Sequence, residues 1–177
     1  DYETKTSYSI TATASDGTNT TSQNISISIN DLNDNAPTIT SSNSFAINEN
    51  SRDVGTVEAT DGDGDSVSFS ISGSDASDFT LVSATGVLKL VSLADFETKN
   101  SYSIVITASD GVNNSNQNVS VSVNDVNEAP TFTSNSSYSV QEGVTAIGSI
   151  TTSDPENNTI TYSISGTDAS SISVNSS

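Results

Sequence analysis

Asp1-Tyr2-Glu3-Thr4-Lys5 opens the chain, and Asp95-Phe96-Glu97-Thr98-Lys99 repeats it 94 residues later. The copies stay in step downstream: Tyr8-Ser9-Ile10 returns as Tyr102-Ser103-Ile104, Ser15-Asp16-Gly17 as Ser109-Asp110-Gly111, and Asn30-Asp31 as Asn124-Asp125. The segment NDLNDNAP (30–37) has a counterpart one residue shorter, NDVNEAP (124–130). Beyond it the offset falls to 93, pairing Pro37 with Pro130, Glu49 with Glu142 and Asp61 with Asp154. A period of that length is the size of one sandwich domain, far above that of a solenoid repeat. The spacing predicts the end of one copy over residues 1–35, a whole copy over 36–128, and the start of a third over 129–177.

Within the whole copy the pattern has period two, which marks strands with one face toward a core and Ser toward water. Ser66-Val67-Ser68-Phe69-Ser70-Ile71, Tyr102-Ser103-Ile104-Val105-Ile106-Thr107-Ala108 and Val119-Ser120-Val121-Ser122-Val123 show it. Further strands are expected near 44–48, 54–60, 78–82 and 86–91, between turns such as Asp110-Gly111. No stretch carries the three-and-four spacing of a helix, so only a turn around Asp75 to Asp78 is expected. The expected fold is all-β: tandem Greek-key β-sandwiches of seven strands, joined end to end.

Composition narrows the chemistry. The 177 residues include no Cys, Met, Trp or His, which removes the usual nucleophiles, soft-metal ligands and proton shuttles. A net charge of −18, from 22 acids against Lys5, Arg52, Lys89 and Lys99, excludes nucleic acid and anionic membrane as partners and favours cations. No signal peptide, membrane-spanning run or lipidation motif is present, and the start without Met reads as an excerpt of a longer chain.

The acids fall where strands end: Glu49, Asp61 and Asp63, Asp95 and Glu97, and Asp110 in the whole copy, with Asp31, Asn33, Asp34, Asn35, Asp125, Asn127 and Glu128 in the linkers. A merely solvated acidic face would not be concentrated in this way. Calcium takes six to eight oxygen ligands, so converging carboxylates, amide oxygens and backbone carbonyls suit it. DGDGD at 61–65 begins like an EF-hand loop, yet Ser66 and Ser72 stand where that loop needs Gly and Glu. A glycosidase reading of Asp95 and Glu97 fails on their repetition at a domain end and on the lack of an aromatic cleft. Glu58, Asp53, Asp65, Asp75, Asp78 and Asp168 read as solvated surface, with Asp65 the foremost candidate for an exception.

In order and spacing, NEN (48–50), DGD (61–63), DFE (95–97) with DYE (1–3), ASD (108–110) and the DxNDN linker (31–35) resemble a cadherin-type repeat protein, in its divergent bacterial-surface form. That resemblance implies calcium ions at each junction between repeats. At the first it implies the ligands Asp1, Glu3, Asp31, Asn33, Asp34, Asp61, Asp63 and Asp110, with the carbonyls of Leu32 and Asn35. At the second it implies Glu49, Asp95, Glu97, Asp125, Asn127, Glu128, Asp154 and Glu156, with the Val126 carbonyl. There Glu128 replaces the linker Asp, and Asp154-Pro155-Glu156 replaces DGD, so fewer or weaker ions are expected. Together the two sets take 14 of the 22 acids. Without metal, such crowded carboxylates are expected to raise one another's pKa values and leave the linker flexible.

The expected role is a calcium-rigidified spacer or stalk of a secreted or cell-surface adhesin or fibre, not an enzyme. Direct binding of polysaccharide, or of a like copy on another cell, is the alternative. Identical chains joined head to tail in a filament are a further possible partner, since head and tail together lack only part of one sandwich.

Overall fold

A computed structural model describes residues 1–175. The head is a hairpin of β1 (Ser7–Ser15) and β2 (Thr20–Ser28), paired antiparallel from Ser7↔Ser28 to Ser15↔Thr20. Next come β3 (Thr38–Ile39), β4 (Ser44–Asn48), β5 (Asp53–Thr56), β6 (Ala59–Thr60), β7 (Ser68–Ser72), β8 (Phe79–Leu81), β9 (Val87–Leu90), β10 (Ser101–Ser109) and β11 (Asn114–Asn124). The tail adds β12 (Thr131–Phe132) and β13 (Thr152–Ser153), an antiparallel pair in the register of β3 and β6.

The middle segment is a two-layer sandwich. One sheet runs β4-β11-β10-β7, with β4 parallel to β11 and the other pairs antiparallel; the facing sheet is β5-β9-β8, and β3 pairs with β6 beside it. The nine segments are seven strands with the first two interrupted. Between β3 and β4 the chain crosses from one layer to the other, a change the alternation around 44–48 did not announce. The strand expected over 54–60 breaks at Val57 and Glu58, where Val57 N–H donates to the Gly86 carbonyl (2.8 Å) and the Glu58 carbonyl accepts from Thr40 N–H (2.8 Å). The only helical turn in this sandwich is the 3₁₀ segment Ala76–Asp78.

Alternation decides what each sheet buries. Ile104, Ile106 and Ala108 of β10 and Val119, Val121 and Val123 of β11 point inward against Leu88, Leu90, Val57 and Phe69, while Ser120 and Ser122 face water. Ile106, Leu88 and Val121 have no exposed surface. Phe79 meets Tyr102 edge-on, with ring centroids 5.3 Å apart. Phe96 and Tyr102 pack at the core's margin, whereas Tyr8, which matches Tyr102, is exposed. Among the described residues β1 and β2 form a two-stranded sheet with no second sheet facing it, unlike β10 and β11.

Lys99 Nζ lies 2.7 Å from Asp75 Oδ1 and 2.9 Å from Asp78 Oδ2, over the Tyr102 ring. Asp75 Oδ2 also accepts Ser103 N–H at 2.7 Å. Asp75 and Asp78 therefore brace the turn instead of standing free in solvent. Lys99, then Ser103, holds the Asp75 carboxyl below its ordinary 3.8, and Asp75 raises Lys99 in return. A lowered acid stabilises the fold above its unfolded pKa and loses that contribution as pH falls through its folded pKa; a raised Lys loses its contribution only in strong alkali. Thermal melts in chelator should thus decline with acidification below pH 3.8, and Asp75→Asn should flatten that decline.

Candidate metal centres at the repeat borders

At the first border the linker 30–35 runs without regular structure between β2 and β3 and lies against the turn after β6. Asp63 organises the contact: its Oδ2 accepts Asp34 N–H (3.1 Å) and Asn35 N–H (2.9 Å), and its Oδ1 accepts the Asn35 side-chain amide (2.6 Å). Carboxylate oxygens of Glu3, Asp31 and Asp63 lie within 4.8 Å of one another, as do those of Asp61, Asp63 and Asp65. Asp61 Oδ1 accepts Asp63 N–H and Asp65 N–H, while its Oδ2 is shielded from water and has no hydrogen-bond donor. Asp1, Leu32, Asp34 and Asn35 line an open cleft with Glu3. Asn33 and Asp110 are joined to the border through Asn113, described below.

Crowding does not raise every acid here. Asp63 is lowered, because the Asn35 side-chain amide, then Asn35 N–H, donates to its charged form. The expectation of mutually raised carboxylates fails at Asp63 for that reason.

The second border is built around Glu49, which is only 4% exposed. Its Oε1 accepts Val126 N–H at 2.7 Å and its Oε2 accepts Phe96 N–H at 3.0 Å, tying the end of β4 to the segment before β10 and to the linker after β11. Carboxylate oxygens of Glu49, Glu97, Glu128 and Glu156 converge within 4.8 Å. Asn50 Nδ2 donates to Glu128 Oε1 (2.6 Å), but both oxygens of Glu156 are shielded and have no donor. Partial desolvation by its neighbours pushes the carboxyl of Glu97, an otherwise exposed residue, up, with Glu49, Glu156 and Asp125 adding to it; desolvation also raises Glu156. Asp95, Asp125, Asn127 and Asp154 stand outside this foursome. Asp95 is turned onto Thr98 N–H and Thr98 Oγ1 (both 2.9 Å), Asp154 Oδ1 accepts Asn158 N–H, and Asn127 Oδ1 accepts Asn158 Nδ2 (2.6 Å).

Asn113 is a functional candidate that sequence reasoning passed over, and Asp65, set among the solvated acids as their foremost exception, belongs to the border. Asp65 Oδ2 accepts Asn33 Nδ2 at 2.6 Å. The third acid of DGDGD was the available signal, and for Asn113 it was recurrence at Asn19.

Calcium fits both borders on structural grounds. The donors are all hard oxygens, and shielded carboxylate oxygens of Asp61 and Glu156 lack any partner, which is costly for a charged group unless a cation supplies one.

A sandwich of this topology with oxygen-rich borders defines a class. Residues 43–124 match the cadherin domain family, and the chain is a cadherin-type repeat protein. It is 34% identical over 157 residues to human Protocadherin Fat 1 and 31% identical over 141 residues to the Drosophila melanogaster Fat-like cadherin-related tumor suppressor homolog, matches that take in 79% and 75% of the chain. It spans 3% of the length of each of these relatives. Among solved structures, the EC1-3 portion of mouse clustered PcdhgC3 is 30% identical with a TM-score of 0.59, over 71% of this chain and 45% of that one. Cadherin domains form extracellular adhesive or structural repeats, calcium binding is a trait of the family, and the family is not an enzymatic one. Among the described residues no helix is long and apolar enough to cross a membrane.

Proposed function

We propose that the chain is a calcium-stiffened spacer within a larger extracellular adhesive or structural protein, with repeat boundaries at 1–35, 36–128 and 129–177. The observation that carries this reading is the unpartnered, shielded oxygens of Asp61 and Glu156, each inside a carboxylate cluster at a border between repeats. At the first border Glu3, Asp31, Asp61, Asp63 and Asp65 would hold the ion, with Asp1, Asn33, Asp34, Asp110 and the Leu32 and Asn35 carbonyls as the remaining donors the family resemblance implies. At the second, Glu49, Glu97, Glu128 and Glu156 would hold it, with Asp95, Asp125, Asn127, Asp154 and the Val126 carbonyl in reach of its shell. Calcium, when bound, supplies the positive charge that lets these carboxylates stay close. Asp63 holds the linker by its backbone, and Glu49 fixes three chain segments at one point, so fastening the carboxylates fastens neighbouring repeats.

Small-angle scattering of the chain in calcium and in chelator tests the reading. The expected result is a longer maximum dimension in calcium, with a calorimetric titration showing saturable uptake. Identical scattering under both conditions, or no uptake, would overturn it.

A further inference from the structure

Asn113 closes the β10–β11 turn, yet its side-chain nitrogen reaches the linker eighty residues away in sequence. Around Nδ2 lie Asn33 Oδ1 at 2.8 Å, Asp110 Oδ2 at 3.3 Å, the Asn35 carbonyl at 3.4 Å and the Asn33 carbonyl at 3.5 Å. A primary amide has two hydrogens and cannot satisfy four acceptors, so one nitrogen sits in a nest with more oxygen than it can serve. Three of those oxygens, on Asn33, Asp110 and the Asn35 carbonyl, are among the donors assigned above to the first border.

The side chain is aimed by its own turn. Asp110 Oδ1 accepts Val112 N–H (2.7 Å) and Asn113 N–H (2.6 Å), which fixes the backbone beneath the amide. The head hairpin repeats this: Asp16 Oδ1 accepts Thr18 N–H (2.8 Å) and Asn19 N–H (2.6 Å), and Asn19 Nδ2 leans on Asp16 Oδ2 at 3.4 Å. Opposite Asn113, Asp65 takes the Asn33 Nδ2 at 2.6 Å and turns the Asn33 oxygen toward it.

We propose that Asn113 is a built-in placeholder at the inner oxygens of the first border: its amide docks the linker on the β10–β11 turn when no ion is present, and must withdraw before a cation can reach Asn33 Oδ1 and Asp110. Asn113 is thus a positioning residue that lowers calcium affinity at this border while keeping the ion-free linker in register. The inference rests on the calcium reading above.

The test is Asn113→Ala, with Asn113→Asp as a second variant that keeps the shape but cannot donate; both retain the backbone N–H that Asp110 accepts. In the intact 177-residue chain, calorimetry with calcium chloride should show one binding step tightened roughly three- to tenfold in Asn113→Ala, the equivalent of one net amide hydrogen bond. The gain should be larger in Asn113→Asp. In chelator, hydrogen exchange of the backbone amides of residues 33–35 should speed up in both variants, while exchange within β10 and β11 stays at the parent rate. Unchanged or weaker calcium binding in Asn113→Ala, or unchanged linker exchange in chelator, overturns the proposal. A parent chain with a flat isotherm overturns the calcium reading and the proposal together, and that outcome is told apart by the parent alone.

Discussion

Glu49→Ala should destabilise the middle sandwich by about 2–3 kcal/mol in chelator, measured by chemical denaturation, because it removes the one acceptor shared by Phe96 N–H and Val126 N–H. An orphaned donor costs about 1–3 kcal/mol when buried, and because both of these N–H groups are only part-buried, with Val126 40% exposed, each loss falls toward the lower end. Glu49→Gln should cost roughly half as much, since one carboxamide oxygen survives while its nitrogen faces the second N–H. In calcium both variants should lose further ground relative to the parent, because Glu49 is also one of the four converging carboxylates. A Glu49→Ala chain as stable as the parent in chelator would show that the carboxylate only serves an ion and does not hold the border itself.

Gly86→Ala is the second large effect expected, at about 2–4 kcal/mol, from left-handed backbone strain and overpacking combined. Gly86 has φ +68°, and a β-carbon there would collide with the Val57 carbonyl oxygen and crowd the Phe69 ring. The backbone cannot step aside cheaply: Gly86 N–H donates to the Val82 carbonyl (2.8 Å), and the Gly86 carbonyl accepts Val57 N–H (2.8 Å). Gly111→Ala is the control, with a similar φ of +98° but open space around the added carbon, and should cost appreciably less. Equal losses at the two positions would mean that strain alone, without the collision, sets the cost.

The strands of the four-stranded sheet were legible because their buried positions are Ile, Val, Ala and Phe and their outward ones mostly Ser, Thr and Asn, a contrast that survives without any knowledge of partners. The crossing between β3 and β4 was not, since Thr38 and Ile39 are too few to show a period and their pairing with Ala59 and Thr60 depends on a segment twenty residues away. The acids could be grouped by repeat position, but not by which side chain turns where. Asp95 and Glu97 look equivalent in DFE, yet Asp95 caps its own turn through Thr98 while Glu97 joins Glu49, Glu128 and Glu156. Local hydrogen bonding competes with convergence, and spacing alone does not reveal the winner. Nor did the count of acids foretell that Asp63 would be stabilised in its charged form by Asn35, whose amide is polar but uncharged and so invisible to a tally of charges.

The parallel pairing of β4 with β11, from Ser44↔Ser120 to Asn48↔Asn124, has a mechanical side. Tension along a string of such repeats enters ahead of β4 and leaves after β11, at opposite ends of that ladder. Pulling therefore shears its rungs together instead of peeling them one at a time, so the sandwich resists extension as a unit, and a taut chain should yield at its borders before it yields in its core.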